Sequence, residues 1–351
     1  MNKSHEKLVS SEKGDMQLLP MNIVKQFNIN QKYNLFYRYN MTTIKIIFPY
    51  FGTFPPQFKF WWASALNNPG VNFLIVTDNK TVKSEMNIEV VYMTFDECRE
   101  RVQRCFDFPV ALPSPYKLCD FRPAYLLIFN ELVGDVDFFG WGDVDLIYGN
   151  IREIVTEEVL AQYDVISGWG HLTLLRNNDY WKHFFELQVD GFQDYKTVYQ
   201  DSKNFGFDEY WHGGTADKAK YLHADKVWDT RPFDDLRVPE SNLNFKSGIR
   251  AMYENDYLIF EYKDKYMYRV YLIGHSIVKE PIMYMHFKRR LKILKPCTNN
   301  TEKYLIVPNK IIDWEEPAFD KILAWSKCGL LKQYIFTMQS KVIGKLKKLL
   351  R

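Results

Sequence analysis

The sequence predicts an α/β fold with a mixed, mainly parallel sheet flanked by helices, and three observations lead to this prediction. Short apolar runs rich in β-branched residues alternate with helix-like segments. Two of these runs lead directly into aspartates, at Asp78 and Asp143. Hydrophobic residues make up 46% of the 351 residues, which is enough to bury a sizeable core. Alternating strands and helices build doubly wound sheets, whose ligands bind beyond the carboxyl ends of the strands.

The elements follow in order from hydrophobic periodicity and from turn residues. The first strand runs to Pro49, where proline and glycine stop it, and a helix, two strands and a second helix follow. A later pair of alternating runs separated by Lys263-Asp264-Lys265 predicts a β-hairpin. The predicted strands lie in 43–52, 71–79, 88–93, 135–142, on either side of a Gly-rich bend in 163–177, and in 257–262, 266–272 and 281–285. The predicted helices are 57–66, 95–105, 124–132, 151–162 and 180–189.

The chain divides into three predicted parts. Residues 1–40 lack a clear period and form an N-terminal extension, residues 41–295 form the main domain with halves 41–150 and 151–295, and residues 296–351 form a C-terminal extension. This last part contains a predicted amphipathic helix, because apolar residues recur at three- and four-residue steps with lysines between them.

Composition excludes several classes of function. The five cysteines are odd in number and form no Cys-x-x-Cys pair, which argues against a zinc site or a disulfide framework and favours a cytoplasmic location. No apolar run is long enough to span a membrane, and residues 1–40 lack the pattern of a signal peptide. The basic residues cluster in 331–351, while the rest of the chain is net acidic, so we expect no nucleic acid partner.

The stretch Asp143-Val144-Asp145 follows an apolar strand and carries the strongest chemical signal. Residues i and i+2 of an extended chain point the same way, so Asp143 and Asp145 can converge on one cation. Paired carboxylates with open positions suit Mn²⁺ or Mg²⁺ held together with a diphosphate. The alternative is a solvated acidic turn, which is common after strands.

A later strand, residues 281–285, delivers His286 in the same way. An imidazole added to two carboxylates completes a ligand set typical of Mn²⁺, and Lys288 lies two residues on, facing a phosphate. The alternative is that His286 is a polar residue that binds no metal.

The order of these motifs resembles the GT-A glycosyltransferases, which carry an Asp-x-Asp signature and use a nucleotide sugar. The resemblance covers roughly residues 43–290 and is closest to enzymes that build bacterial surface polysaccharides and lipopolysaccharide. It implies transfer of a sugar from a nucleoside diphosphate, for which we expect a UDP-sugar, to a saccharide or lipid-linked saccharide acceptor. Residues implied to contact the donor are Pro49, Tyr50, Asp78, Lys117, Arg122 and Lys288. Asp78 could instead be a turn residue, and Asp120 and Arg122 a surface pair.

The same resemblance assigns the acceptor half. Asp208 and Glu209 lie where the family places an acid opposite the anomeric carbon, to remove a proton from the acceptor or to stabilise positive charge. Adjacent residues do not share a face, so we expect only one of them to act. The alternative is that this acidic pair caps the N-terminus of a helix. The expected contacts to the sugar or acceptor are Trp169 and His171, as exposed side chains, and Trp211.

Two other functions remain open at this point. A nucleotidyltransferase also holds a metal on paired carboxylates, although the loop Pro49–Pro56 has one glycine and no basic residue. A non-catalytic carbohydrate-binding protein would need only the aromatics, which are 17% of the chain. The basic tail, residues 331–351, allows two interpretations. It could bind an anionic membrane surface on the inner face of the plasma membrane, or it could form a helix that packs on the domain.

Overall fold

The computed structural model describes residues 8–9, 17–18, 41–167, 169–210, 212–236, 257–287, 295–308 and 310–326. The chain separates into two compact units, residues 1–42 and 43–351. In the first unit, strand β1 (Leu8–Val9) pairs antiparallel with β2 (Gln17–Leu18).

The strands of the second unit form three sheets. Their bounds are β3 Ile44–Pro49, β4 Asn72–Thr77, β5 Ile88–Tyr92, β6 Phe138–Gly142, β7 Leu146–Tyr148, β8 Val165–Ser167, β9 Leu172–Arg176, β10 Val227–Trp228, β11 Asp234–Asp235, β12 Leu258–Lys263, β13 Tyr266–Ile273, β14 Ser276–Ile282, β15 Tyr284–His286, β16 Lys295–Pro296, β17 Tyr304–Val307 and β18 Lys310–Asp313.

The main sheet has seven strands in the order β10-β8-β9-β6-β3-β4-β5. Strands β5, β4, β3 and β6 are parallel, and only β9 runs against the others. The fold class predicted from the sequence, a mainly parallel sheet within an α/β protein, is confirmed. Because β6 lies at the centre, its carboxyl end opens at the middle of one edge of the sheet.

Helices cover the main sheet, and the last helix, Phe319–Ser326, packs on strands β12 and β13 instead. Their bounds are α1 Phe58–Leu66, α2 Phe95–Arg104, α3 Leu118–Phe121, α4 Tyr125–Ile128, α5 Asn130–Val133, α6 Ile151–Ile154, α7 Glu157–Gln162, α8 Asp179–Lys182, α9 Tyr195–Gln200, α10 Thr215–Leu222 and α11 Phe319–Ser326, with 3-10 turns at Pro115–Lys117, Arg122–Ala124, Phe184–Glu186 and Ala224–Lys226. None of the described helices is long and apolar enough to cross a membrane.

Alternate residues of the central strands enter two hydrophobic clusters. Ile47 and Trp141 pack with residues of α2 to α5 on one face, whereas Ile46 and Phe138 pack with residues of α1 on the other. A parallel sheet is buried on both faces, which explains why its strands appear in the sequence as nearly continuous apolar runs.

Some predicted helices are broken into short pieces. The predicted helix 151–162 stops at Ile154 and begins again at Glu157, because the Thr156 hydroxyl accepts from Val159 N and caps a new helix. The run 124–132 likewise divides between α4 and α5. The predicted helix 180–189 is only α8 and a 3-10 turn.

The predicted hairpin is part of a larger sheet. Strands β12 and β13 pair as expected, and the six-stranded sheet continues in the order β14-β13-β12-β17-β18-β16. Strand β17 comes from the predicted C-terminal extension and pairs with β12, so residues 304–313 are integrated with the main domain. The alternation in 304–313 was not recognised in the sequence because both strands are only four residues long.

A small third sheet contains the strand that follows the paired aspartates and the strand that ends at His286. Its order is β11-β15-β7, with β15 parallel to β11 and antiparallel to β7. Strand β7 follows directly after the Asp143–Asp145 segment, and β15 ends at His286.

Candidate functional site

The backbone around the paired aspartates is fixed by its neighbours. Asp143 N donates to His171 O at 3.0 Å, and Asp145 O accepts from Phe287 N at 3.0 Å. Just before them, a Cβ on Gly142 would lie 2.7 Å from the Phe48 ring, so only glycine fits there. These contacts attach the turn between β6 and β7 to β9 on one side and to β15 on the other.

The side chains of Asp143, Asp145 and His286 converge, as the sequence predicted. His286 Nε2 lies 3.4 Å from Asp145 Oδ1 and 3.8 Å from Asp143 Oδ2. One ligand atom from each residue lies within 4.8 Å of the others. Two carboxylate oxygens and an imidazole nitrogen that share one small volume fit Mn²⁺ or another hard divalent cation.

The charge balance of this region also favours a cation. In the described part of the site, the charged neighbours of Asp143 and Glu209 are the acids Asp145 and Asp208 and the bases Arg122 and His286, so four acids face two bases. Burial raises the pKa of Asp143, and Asp145 raises it further, although Arg122 opposes both. Burial lowers the pKa of His286, but Asp145, Asp235 and Asp143 outweigh that effect and raise it to about 10. A proton therefore occupies the imidazole where a divalent cation would compete for it.

Arg122 links the two acidic groups of the site. One guanidinium nitrogen donates to Gly170 O at 2.8 Å and to Asp208 Oδ2 at 2.7 Å, and the other donates to Asp143 Oδ1. The other carboxylate oxygen of Asp143, Oδ2, faces His286. Arg122 thus fixes the rotamer of Asp143, and its expected contact with the donor diphosphate remains a prediction.

Asp208 and Glu209 differ in their surroundings. Asp208 is 1% exposed and paired with Arg122, whereas Glu209 is half-buried, and none of the described residues hydrogen-bonds its carboxylate. Burial and the neighbouring Asp208 raise the pKa of Glu209 to about 7. A carboxylate with such a pKa can exchange a proton near neutral pH.

Gly170 shapes the wall beside Glu209. It adopts φ +82°, and a Cβ there would lie 2.6 Å from Glu209 Cγ and 2.9 Å from Asp208 Oδ2. The preceding residue, Trp169, also has a positive φ of 58°, which is uncommon outside glycine. The Arg231 guanidinium lies 4.0 Å from the centre of its indole ring. This backbone conformation brings the bend close to the acids.

A cavity of about 780 Å³ opens at the carboxyl ends of β3 and β4. Asp78 lines it and accepts from Gly52 N at 2.7 Å. Phe54 lines it as well and stacks on Tyr50, with ring centroids 4.5 Å apart. Burial raises the pKa of Tyr50 and Asp145 raises it further, so Tyr50 lies near Asp145 as well as against Phe54. Pro49 is the last residue of β3 and lies directly before Tyr50.

Residues 46–315 match the model of a family described as a family of unknown function, DUF6625. The chain belongs to the DUF6625 family. No curated protein matches the sequence.

Two solved structures resemble parts of the DUF6625 chain. One is the apo form of the glycosyltransferase GlyE from Streptococcus pneumoniae TIGR4, with a TM-score of 0.26 and 14% identity over 40% of this chain and 35% of that one. The other is the apo form of mouse xyloside xylosyltransferase 1, with a TM-score of 0.31 and 9% identity over 54% of this chain and 85% of that one. The chain therefore aligns with about a third of the GlyE chain.

Lys117 is not exposed to a ligand in the DUF6625 chain. It is 1% exposed, and its ammonium group donates to Asp120 Oδ2, Val198 O and Lys203 O. All three of its N–H groups are used inside the protein, so the expected contact with the donor is wrong for this conformation. Asp120 in turn accepts from the backbone N–H groups of Phe205 and Phe207. The pair anchors the loop that leads to Asp208.

We expect Asp120→Ala to destabilise the protein by about 3–5 kcal/mol, because it leaves the buried Lys117 ammonium and two backbone N–H groups without their acceptor. Urea denaturation measures the loss. Asp96→Ala is the matched control, since Asp96 pairs with Arg99 at the surface and should cost less than about 1 kcal/mol. Equal losses in both variants would contradict the anchoring role of Asp120.

His171 was expected to be exposed, and this is wrong. It is 5% exposed, its Nδ1 contacts the Tyr284 hydroxyl at 2.9 Å, and its ring centroid lies 4.3 Å from that of His286. His171 supports His286 from within the fold, because β9 runs beside the site. Trp169 is half-buried, and its contact with a sugar remains a prediction. Trp211 and Lys288 lie outside the described residues.

Asp235 was missed in the sequence. It is 3% exposed, and its Oδ1 lies 2.9 Å from His286 Nδ1. Its strand has two residues within the acidic stretch 225–237, so no alternation of apolar residues marked it. The only signal available was the pair of adjacent aspartates beside apolar neighbours.

Proposed function

We propose that the protein is a metal-dependent glycosyltransferase that moves a sugar from a nucleoside diphosphate to a saccharide acceptor. The observation that carries this proposal is the convergence of Asp143, Asp145 and His286 at the carboxyl edge of the main sheet. Such an edge is where α/β proteins bind nucleotides. The cavity at Asp78 provides room for the nucleoside beside it.

Asp143, Asp145 and His286 would hold Mn²⁺ or Mg²⁺, and the ion would neutralise charge on the leaving diphosphate. The nucleoside of a UDP-sugar would enter the cavity, where Asp78 is an acceptor for ribose or base N–H and O–H groups. Phe54 lines this cavity, and Tyr50 stacks on it. Arg122 keeps Asp143 in position while the donor binds.

Glu209 is the acid that we assign to proton transfer. Its pKa of about 7 suits a group that takes the proton from the acceptor hydroxyl as the new glycosidic bond forms. Asp208 is held by Arg122 and is inaccessible, so it orients the site without exchanging protons. This division agrees with the expectation that only one of the two adjacent acids acts.

A panel of nucleotide sugars tests the proposal. The purified protein should release nucleoside diphosphate from at least one sugar donor, and release should require Mn²⁺ or Mg²⁺. A nucleotidyltransferase would instead form pyrophosphate from a nucleoside triphosphate and a sugar phosphate. If neither product forms with any donor or acceptor, a non-catalytic carbohydrate-binding protein becomes the better assignment.

The basic tail suggests where the acceptor lies. Residues 331–351 lie outside the described residues, but their sequence carries six basic and no acidic side chains. We expect full-length protein to sediment with anionic vesicles and to lose most of this binding when 331–351 are deleted, since about 1 kcal/mol comes from each basic residue near such a surface. Zwitterionic vesicles are the control. Undiminished sedimentation of the truncated protein would exclude the tail as the anchor, and a bacterial surface glycan on a lipid carrier would lose its main support as acceptor.

A further inference from the structure

Asp235 and His286 are neighbours across two paired strands. Strand β11 is parallel to β15, with Asp235 opposite His286 and Asp234 opposite Met285. Residues directly opposite in a sheet project on the same side, so the Asp235 carboxylate reaches the imidazole. The distance from Asp235 Oδ1 to His286 Nδ1 is 2.9 Å. This places an acceptor at one ring nitrogen while the other faces Asp143 and Asp145.

The acceptor decides which nitrogen keeps its proton when a cation displaces the other one. An ionised carboxylate can only accept, so Nδ1 must donate its hydrogen to Asp235. Nε2 is then the nitrogen that can offer a lone pair, and it is the one 3.4 Å from Asp145 Oδ1. Histidines that bind metals commonly give their second N–H to a carboxylate or carbonyl, which fixes the ring and increases its basicity.

The strand that carries Asp235 is itself held from its other side. Successive residues of a strand point to opposite faces, so Asp234 points away from His286. Asp234 Oδ2 accepts from Arg269 Nε at 2.5 Å, and Phe233 O accepts from the same guanidinium at 3.0 Å. Arg269 lies on β13, so the six-stranded sheet anchors β11 and thereby Asp235.

We propose that Asp235 is a positioning residue that fixes the tautomer and orientation of His286 for a divalent cation. The proposal rests on the proposed function only through the cation, and it requires no sugar donor. Asp235 does not touch the cation. It acts through the imidazole, and Arg269 and Asp234 support its strand.

Mn²⁺ binding to the full-length protein without donor, measured by electron paramagnetic resonance, gives the test. Asp235→Ala should weaken Mn²⁺ binding by about 10–100-fold, and Asp235→Asn should recover much of this, because an amide oxygen can still accept from Nδ1. Asp234→Asn is the matched control, since it removes the charge of an equally buried carboxylate on the same strand, keeps an oxygen that can accept from Arg269 and leaves His286 its partner. It should lower the melting temperature and keep Mn²⁺ affinity within about twofold.

Several results would overturn the proposal. They are equal Mn²⁺ affinity in wild type and Asp235→Ala, or a loss of Mn²⁺ affinity in Asp234→Asn as large as that in Asp235→Ala. If Asp235→Ala does not fold, long-range ¹H–¹⁵N spectra of wild-type protein with Mg²⁺ decide, with His286 assigned by comparison with His286→Gln. We expect a protonated Nδ1 and an unprotonated Nε2, and the reverse pattern refutes the role. Absence of any Mn²⁺ binding by wild type would instead remove the metal from the proposed function, and this inference with it.

Discussion

Asp145→Asn should lower the rate of sugar transfer by about 10³-fold, because a divalent cation supplies several kcal/mol of stabilisation to a leaving diphosphate. Asp145 is the cleaner target of the paired aspartates. Asp143 also binds Arg122, so its removal would disturb a buried guanidinium, whereas Asp145 approaches only His286 among the ion pairs of the described residues. The asparagine keeps the shape and removes the charge. The measurement is the release of nucleoside diphosphate over a range of Mn²⁺ concentrations.

Asp135→Asn is the matched control for this variant. Asp135 is an exposed aspartate before the opposite end of the same strand, β6, so its replacement should leave turnover unchanged. Normal turnover by Asp145→Asn at low Mn²⁺ would show that the paired aspartates do not hold a catalytic cation.

Glu209→Gln should lower turnover by about 10²–10⁴-fold, the range typical of a lost general base. In the wild-type protein, kcat/KM should rise with pH up to about 7 and then level off, as the Glu209 carboxyl loses its proton. The variant should lose this limb of the profile. If Glu209→Gln retains both turnover and the limb near pH 7, the proton acceptor is another group.

Glu209→Gln should lower turnover but raise the stability of the fold. The pKa of Glu209 is raised to about 7 from an ordinary value of 4.5, so the folded protein binds more protons than the unfolded chain between these pH values. Stability therefore falls as pH rises through this window. Glu209→Gln removes the cost of the buried charge. Without metal, we expect a higher melting temperature than wild type at pH 8 and an equal one at pH 4.

The sequence was a good guide to the strands of the main sheet and to the convergence of three polar side chains. Strands β3, β4 and β6 are long apolar runs, and Asp143, Asp145 and His286 lie at or just after the ends of strands. Strand ends can be located from local sequence, but β15 does not belong to the main sheet, and its pairing with β7 brings His286 to the aspartates.

Contacts between distant residues could not be predicted in this way. Arg122 meets Asp143 and Asp208, which lie 21 and 86 residues away. Burial of Lys117 was also invisible, since lysine is seldom buried and nothing local marks the exception. Asp235 depends on a two-residue strand whose partner lies 51 residues further along the chain.

The small sheet of β11, β15 and β7 has a consequence for folding. Its strands come from residues 146–148, 234–235 and 284–286, so two long stretches of chain must close before they pair. Closure of such loops costs entropy that only later contacts recover, and folding slows as contacts become less local. A nascent chain that ends before β15 already carries Asp143 and Asp145, but it lacks the imidazole and the strand that aligns them. The side chains of Asp143, Asp145 and His286 therefore come together only after residue 286 has been synthesised and β15 has docked.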